Sequence, residues 1–309
     1  MALHPALQHL IETKLAAARA PQWELPIAEV RRGFRALWTP AMTGAPLAVD
    51  RVDEVSIPAD DAPIPARIYA PERGRPYPIL VYLHGGGYVK GGLDESDTFC
   101  RNLSSLAQHM VVSVDYRLAP EHPFPAALDD AIAATAWVCA HGADLGAAPG
   151  PVAICGESAG GNLAAITCLH ARADPRTAIR RQILLQPVVD FALSFPSIAM
   201  KPTECLVPRE DLAWYYETYA GASHDMKDPR VSPLYATDLS GLPPTLVIAA
   251  EYDTLRDEAN AYAERLRAAH VPVVYSCYSG MIHGFLQMGG LVADARAALA
   301  EIAHAVSFS

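Results

Sequence analysis

From Val152 to Asn162 the chain reads VAICGESAGGN. An apolar run enters this segment, a serine stands two residues from a glycine on each side, and a helix-forming run from Ala159 to Ala171 leaves it. That succession makes a strand turn sharply into a helix, with the turning residue on a strained backbone. Side chains two positions away on either side would collide, and Gly156 and Gly160 remove them. The turn lifts the Ser158 hydroxyl above the carboxyl end of a sheet, close to a helix N-terminus where developing negative charge is favoured. The rest of the chain then has to supply a mostly parallel sheet.

It does so with short apolar runs at Tyr77 to Leu83, Met110 to Val114, Val152 to Cys155, Gln182 to Leu185, Thr245 to Ala249 and Val271 to Tyr275. Such unbroken runs suit strands covered on both faces. Helical candidates alternate with them at Asp97 to Gln108, Ala126 to Cys139, Ala159 to Ala171, Arg256 to Ala269 and Ala293 to His304. The alternation predicts repeated β-α units. Ahead of them, Arg51 to Ile57 and Ala62 to Tyr69 flank a turn-like Pro-Ala-Asp-Asp and read as an antiparallel hairpin.

Two regions stand outside this rhythm. Leu7, Leu10, Ile11 and Leu15 recur at helical spacing between Pro5 and Arg19, and the proline-broken stretch that follows to about Val49 reads as irregular or short-helical. From Asp190 to about Asp238 runs an insertion too long for an ordinary loop, with a helix expected from Pro208 or Arg209. Both regions need an apolar partner, which they find in each other as a cap. The expected division is residues 1–49 and 190–238 for the cap and residues 50–189 and 239–309 for the core. Trp214, Tyr215 and Tyr219 in the insertion serve either as walls of a substrate pocket or as the cap's own core.

Composition narrows the function. Lysine and arginine total 24 against 34 acidic residues, a formal charge of −10, so a phosphate backbone is repelled on average and nucleic acid is not an expected partner. The 6 cysteines form no CxxC pair, which leaves zinc and dithiol redox chemistry without support. Several lie in apolar runs as buried free thiols would, favouring a reducing compartment. With neither a signal-peptide core nor an 18-residue apolar span, the chain reads as a cytoplasmic protein without stable membrane association.

The loop after Tyr77–Leu83 reads His84-Gly85-Gly86-Gly87-Tyr88. Three glycines after a buried strand imply a close approach to the backbone. The N–H groups of Gly86 and Gly87, with that of Ala159, are candidates for holding an oxyanion, and Gly85 is able to share the role. The run lacks G-K-[ST] and the spacing of a dinucleotide fingerprint. His84 is expected to fix this loop. A serine needs a base, and His283 in SGMIHGF is the histidine that follows the last core strand and precedes the last helix. His122 and His224 are the alternatives hardest to dismiss. Asp253, just after the strand Thr245 to Ala249, is the candidate acid, with Glu251, Asp257 and Glu258 as alternatives. The resulting order is Ser, Asp, His.

With these motifs in hand, the chain resembles the bacterial branch of the hormone-sensitive-lipase-like esterases. The matching runs are HGGGYVKGG from His84, DYRLAPEHPFPAA from Asp115, GESAGGNLA from Gly156, DPRVSPL from Asp228, EYDTLRDE from Glu251 and GMIHGF from Gly280. The resemblance implies an α/β-hydrolase fold with an eight-stranded, mostly parallel sheet and a helical cap. It implies hydrolysis of small esters of short or medium acyl chains through an acyl-enzyme, with no cofactor and no metal. It assigns Ser158 as nucleophile, Asp253 as acid, His283 as base, and Gly86, Gly87 and Ala159 as oxyanion donors. His122 becomes scaffold, and Glu157 stands where many members carry aspartate. The chain is expected as a monomer or homodimer. Hydrolysis of amides, carbamates or thioesters by the same groups is the alternative, and ligand binding without catalysis a remoter one.

Overall fold

A computed structural model describes residues 2–17 and 20–307. Eight strands build one sheet: β1 (Arg51–Ile57), β2 (Ile64–Ala70), β3 (Ile79–Leu83), β4 (Met110–Val114), β5 (Val152–Glu157), β6 (Ile179–Leu185), β7 (Thr245–Tyr252) and β8 (Val273–Ile282). Their spatial order is β1-β2-β4-β3-β5-β6-β7-β8. β2 pairs antiparallel with β1 and β4, and every pairing from β4 to β8 is parallel.

Side chains on a strand alternate faces, so a fully apolar strand feeds two cores. In β3, Ile79, Val81 and Leu83 enter one core while Leu80 and Tyr82 enter the other, and β4 divides in the same way. Helices α1 (Pro5–Ala17), α2 (Ile27–Leu37), α3 (Pro40–Thr43), α4 (Asp97–Ala107), α5 (Ala126–His141), α6 (Ala159–Ala171), α7 (Arg209–Ala220), α8 (Arg256–Ala268) and α9 (Ala293–Ser307) supply the cover. Buried residues of α5, α6 and α8 share the first core, and those of α4 and α9 the second. This is the eight-stranded, mostly parallel arrangement the resemblance implies, with a helical cap region.

In that region the N-terminal segment meets the insertion. Lys14 Nζ donates to the carbonyl of Leu206 at 2.7 Å, and Gln22 Nε2 donates to Asp211 Oδ2 at 2.7 Å. α2 is a three-turn helix within the stretch read as irregular or short-helical. Ile27, Val30, Phe34 and Leu37 recur along one side of it at helical spacing, but Pro26 and Pro40 bracket the segment closely and Gly33 interrupts it, which hides its length. Leu7 and Ile11 of α1 are buried as expected, but Leu15 is exposed. The predicted end of that helix, Ala18 and Arg19, lies outside the described residues.

β7 and β8 run past their expected ends to Tyr252 and Ile282, which carries the strands up to Asp253 and His283. β8 is an edge strand with alternating, half-exposed side chains, and Val274 is 59% exposed, so its continuation is hard to read as a core strand. All 6 cysteines are free; Cys100, Cys155, Cys168 and Cys205 are buried, whereas Cys139 is half-buried and Cys277 exposed. Among the described residues no helix is long and apolar enough to cross a membrane.

Candidate active site

Ser158 caps the N-terminus of α6 with φ +55° and ψ −116°, a left-handed conformation that costs a non-glycine residue about 1–3 kcal/mol. The surrounding structure enforces it. Ser158 N–H donates to Leu185 O at 2.8 Å, and its carbonyl accepts from Val188 N at 3.2 Å and Asn162 N at 3.1 Å. A methyl group on Gly156 would overlap the main chain of Gly160, and one on Gly160 would overlap that of Leu83 and His84. Helix, strand and the loop after β3 therefore touch backbone to backbone.

The turn brings Ser158 Oγ to 2.9 Å from His283 Nε2. On the other side of the ring, His283 Nδ1–H donates to Asp253 Oδ2 at 2.8 Å. All three residues are buried. Burial pulls the imidazolium down, but the charge and hydrogen bond of Asp253, with Glu157 adding to them, outweigh it and raise the His283 pKa above its ordinary value. The pair is thus arranged to accept a proton from the serine and to hold the resulting charge.

The other carboxylates considered from the sequence are engaged elsewhere. Glu251 accepts from Gly280 N at 2.8 Å, Asp257 from Ser197 N at 2.9 Å, and Glu258 from Val189 N at 2.7 Å. His224 pairs with Asp228 at 3.3 Å, and His122 is exposed at a separate surface cleft. His84 stacks on Tyr116 at 4.2 Å and its Nδ1–H donates to Gly85 O at 2.8 Å, while burial lowers its pKa to about 4. A neutral ring that braces the glycine loop is the outcome.

Ser158, His283, Gly86 and Gly87 line one cavity of about 430 Å³. Among the described residues, no acceptor is bonded to the N–H of Gly86, Gly87 or Ala159. Gly87 has φ +63°, and a Cβ there would lie 2.5 Å from the ring of Tyr215, so only glycine fits. Gly85, by contrast, packs against Glu157. Val30, Phe34, Val188, Leu206, Leu212 and Tyr216 give the cavity an apolar wall. The three aromatics left open by the sequence divide. Tyr215 lines the cavity, whereas Tyr219 stacks on Tyr88 at 4.0 Å inside the core and Trp214 lies off the cavity.

A family model described as alpha/beta hydrolase fold matches residues 80–287. The chain is an α/β-hydrolase. The hydrolase is 42% identical over 299 residues to the carboxylic ester hydrolase LipN of Mycobacterium tuberculosis, covering 93% of this chain and 79% of LipN. It is 35% identical to the ethyl acetate hydrolase of Pseudomonas putida, with 99% of each chain covered. The crystal structure of a hyperthermophilic esterase from the archaeon Pyrobaculum calidifontis superposes with a TM-score of 0.93 at 39% identity, over 99% of this chain and 98% of that one.

Three parts of the hydrolase's site are not singled out by the sequence. Gln186 Nε2 donates to Asp253 Oδ2 at 3.1 Å and to Ile282 O at 3.0 Å, while its Oε1 accepts from Gly284 N at 2.7 Å. One buried amide thus ties the acid to both neighbours of His283. The only trace in sequence is a polar residue wedged between a core strand and Pro187, at the active end of the sheet. Gln287 Nε2 donates to the buried Glu157 carboxylate, whose pKa burial raises. Lys90, within the HGGGYVKGG run, and Lys14 of α1 both line the cavity.

Proposed function

We propose that this chain is a serine carboxylesterase of short- to medium-chain acyl esters, with Ser158 as nucleophile, His283 as general base and Asp253 as the carboxylate that orients it. The observation that carries this reading is the continuous path from Ser158 Oγ to His283 Nε2 (2.9 Å) and from His283 Nδ1 to Asp253 (2.8 Å), at a cavity with apolar walls. Ester hydrolysis is the activity that the names of its relatives share.

In the first half-reaction Ser158 Oγ bonds to the ester carbonyl carbon as its proton passes to His283 Nε2. The carbonyl oxygen takes the negative charge and is held by the N–H groups of Gly86, Gly87 and Ala159. The positive end of α6 points at the same place. The imidazolium then gives its proton to the departing alcohol, and the carbon–oxygen bond to that alcohol breaks. Water repeats the sequence on the acyl-serine, with His283 taking the proton and returning it to Ser158.

Within the family, the runs HGGGYVKGG, GESAGGNLA and DYRLAPEHPFPAA support membership of the bacterial hormone-sensitive-lipase-like branch. Residues 1–49 and 190–238 are read as the cap, supported by the Lys14–Leu206 and Gln22–Asp211 hydrogen bonds. A cavity of about 430 Å³ suits small ligands rather than long-chain fats.

The test is hydrolysis of p-nitrophenyl esters from acetate to palmitate by the wild type and Ser158→Ala. The expected result is a maximum at short or medium chains and loss of nearly all activity in a folded variant. No turnover of any ester by the wild type, or full activity in Ser158→Ala, overturns the proposal.

A further inference from the structure

The ammonium of Lys90 is buried at the wall of the mainly apolar cavity, and the reaction just described has no use for it. Lys90 is 9% exposed and lies four residues past Gly86. Its Nζ donates to Gln22 Oε1 at 2.7 Å and to Tyr215 OH at 2.5 Å, and lies 5.0 Å and 4.9 Å above the rings of Phe34 and Tyr215. An ammonium has three donors. Two are engaged, and among the described residues the third has no acceptor.

The charges around it do not cancel. Lys14, Lys90 and Asp211 all line this cavity. Asp211 lies 4.0 Å from Lys14 Nζ and accepts from Gln22 Nε2 at 2.7 Å. Of the other carboxylates that reach the cavity, Glu157 accepts from Gln287 at the Ser158 end, and Glu29 is exposed and pairs with Arg32 at 3.7 Å, so Asp211 is the carboxylate that stands beside the two ammonium groups. With Lys90 protonated, this end of the cavity carries one more ammonium than carboxylate in surroundings of low polarity, where a single charge acts strongly. Its distance from the chemistry is set by Tyr215. The ring of that residue lies against Gly87, and its hydroxyl meets Lys90, so the ammonium stands one tyrosine side chain away from the glycine loop.

We infer that Lys90 receives a carboxylate carried by the substrate at the end remote from the scissile ester, so that esters with an anionic tail are preferred over neutral ones of equal length. The inference rests on the esterase reading above and adds the substrate class. The carboxylate accepts the free N–H of Lys90 and balances the surplus charge, while the intervening methylene groups lie along the apolar wall. Desolvation by burial, with Lys14 adding to it and Asp211 opposing it, lowers the Lys90 pKa to about 7. The groups facing it are Lys14 from α1, Gln22, Asp211 and Tyr215 from α7, and His283, whose imidazolium Lys90 disfavours; because both esters of a pair meet the same His283, its titration cancels in their ratio. The preference therefore strengthens as the pH falls through that value and Lys90 becomes fully charged.

The experiment uses two matched pairs of esters. p-Nitrophenyl pentanoate is set against the mono-p-nitrophenyl ester of glutarate, which carries the carboxylate on the acyl side. Butyl acetate is set against 4-acetoxybutanoate, which carries it on the alcohol side. The readout is the ratio of kcat/KM for the charged ester to that for its neutral partner, in the wild type, Lys90→Met and Lys90→Gln.

The expected result is a ratio that falls about 10- to 100-fold in both variants for at least one pair, the range of a hydrogen bond to a charged group. In the wild type the same ratio rises as the pH is lowered through about 7. A purely structural role for Lys90 changes both members of a pair alike. Ratios unaltered by substitution and flat with pH overturn the inference while leaving the esterase reading intact. If the variants fail to fold, the pH dependence in the wild type decides. Failure of the wild type to hydrolyse even the neutral esters sinks both.

Discussion

Replacing Gln186 with methionine keeps the length of the side chain and removes its three side-chain hydrogen bonds. Gln186 is fully buried and does not line the cavity, so the change acts through its partners. The Gly284 N–H loses its one acceptor among the described residues, a burial penalty of roughly 1–3 kcal/mol. Loss of the bond from Nε2 to the Asp253 carboxylate, of the charge-assisted kind, removes roughly 1.5–3 kcal/mol more. The expected loss of stability is thus about 2.5–6 kcal/mol, read from urea unfolding.

The kinetic consequence is sharper. His283 stands between Ile282 and Gly284, both held by this amide, and displacement of a reacting group by about 1 Å costs on the order of 100-fold. We expect kcat for a neutral p-nitrophenyl ester to fall about 10- to 100-fold, with KM nearly unchanged. The pH profile separates this positioning role from general loosening. With one donor gone, the Asp253 charge is less satisfied and draws more strongly on the imidazolium, so the acid limb of kcat/KM moves to higher pH. If instead kcat stays within about twofold of the wild type, or the limb moves down, the reasoning fails.

Three further outcomes follow from the same geometry. His283 acts only when neutral and its pKa lies above the ordinary value of about 6.5, so kcat/KM falls as pH drops through a point above that value. Asp253→Asn removes the elevation and lowers kcat by about 10⁴-fold, and a pH-rate series on both proteins checks it. Gly87→Ala forces a methyl against Tyr215 at a φ of +63° and costs about 100- to 1,000-fold in kcat, whereas adding Tyr215→Leu restores part of it by relieving the clash. Asn162→Leu strips the Nδ2 donor from Val188 O (3.0 Å) and Val231 O (2.8 Å), and denaturant unfolding is expected to show a loss of roughly 2–5 kcal/mol.

What sequence makes visible here depends on how each residue is buried. β3, β4 and β5 are covered on both faces and read as uninterrupted apolar runs, so their positions and parallel sense are plain. Ser158 declares itself through glycines that the turn requires, and Asp253 and His283 through their place after core strands. α2 is obscure because prolines bracket it and Gly33 interrupts it, and the end of β8 because an edge strand mixes exposed and buried positions. Gln186 is invisible for another reason. Its partners lie 67, 96 and 98 residues away, and no local pattern encodes a hydrogen bond across that span. Lys90 belongs to the same class, since a lysine beside a glycine loop reads as solvated until Gln22 and Tyr215 close around it.

The backbone contact between Gly160 and the residues Leu83 and His84 also separates two things that evolution is able to vary. The glycine loop and the turn that carries Ser158 are locked together backbone to backbone without intervening side chains, a casting that tolerates no adjustment. The groups that meet the rest of the substrate are side chains such as Phe34, Lys90, Leu206 and Tyr216, drawn from segments distant in sequence and each replaceable alone. Reaction and selectivity are therefore written in different parts of the polymer. A lineage of such chains can drift from one ester to another by exchanging the lining while the hinge of glycine stays as it was.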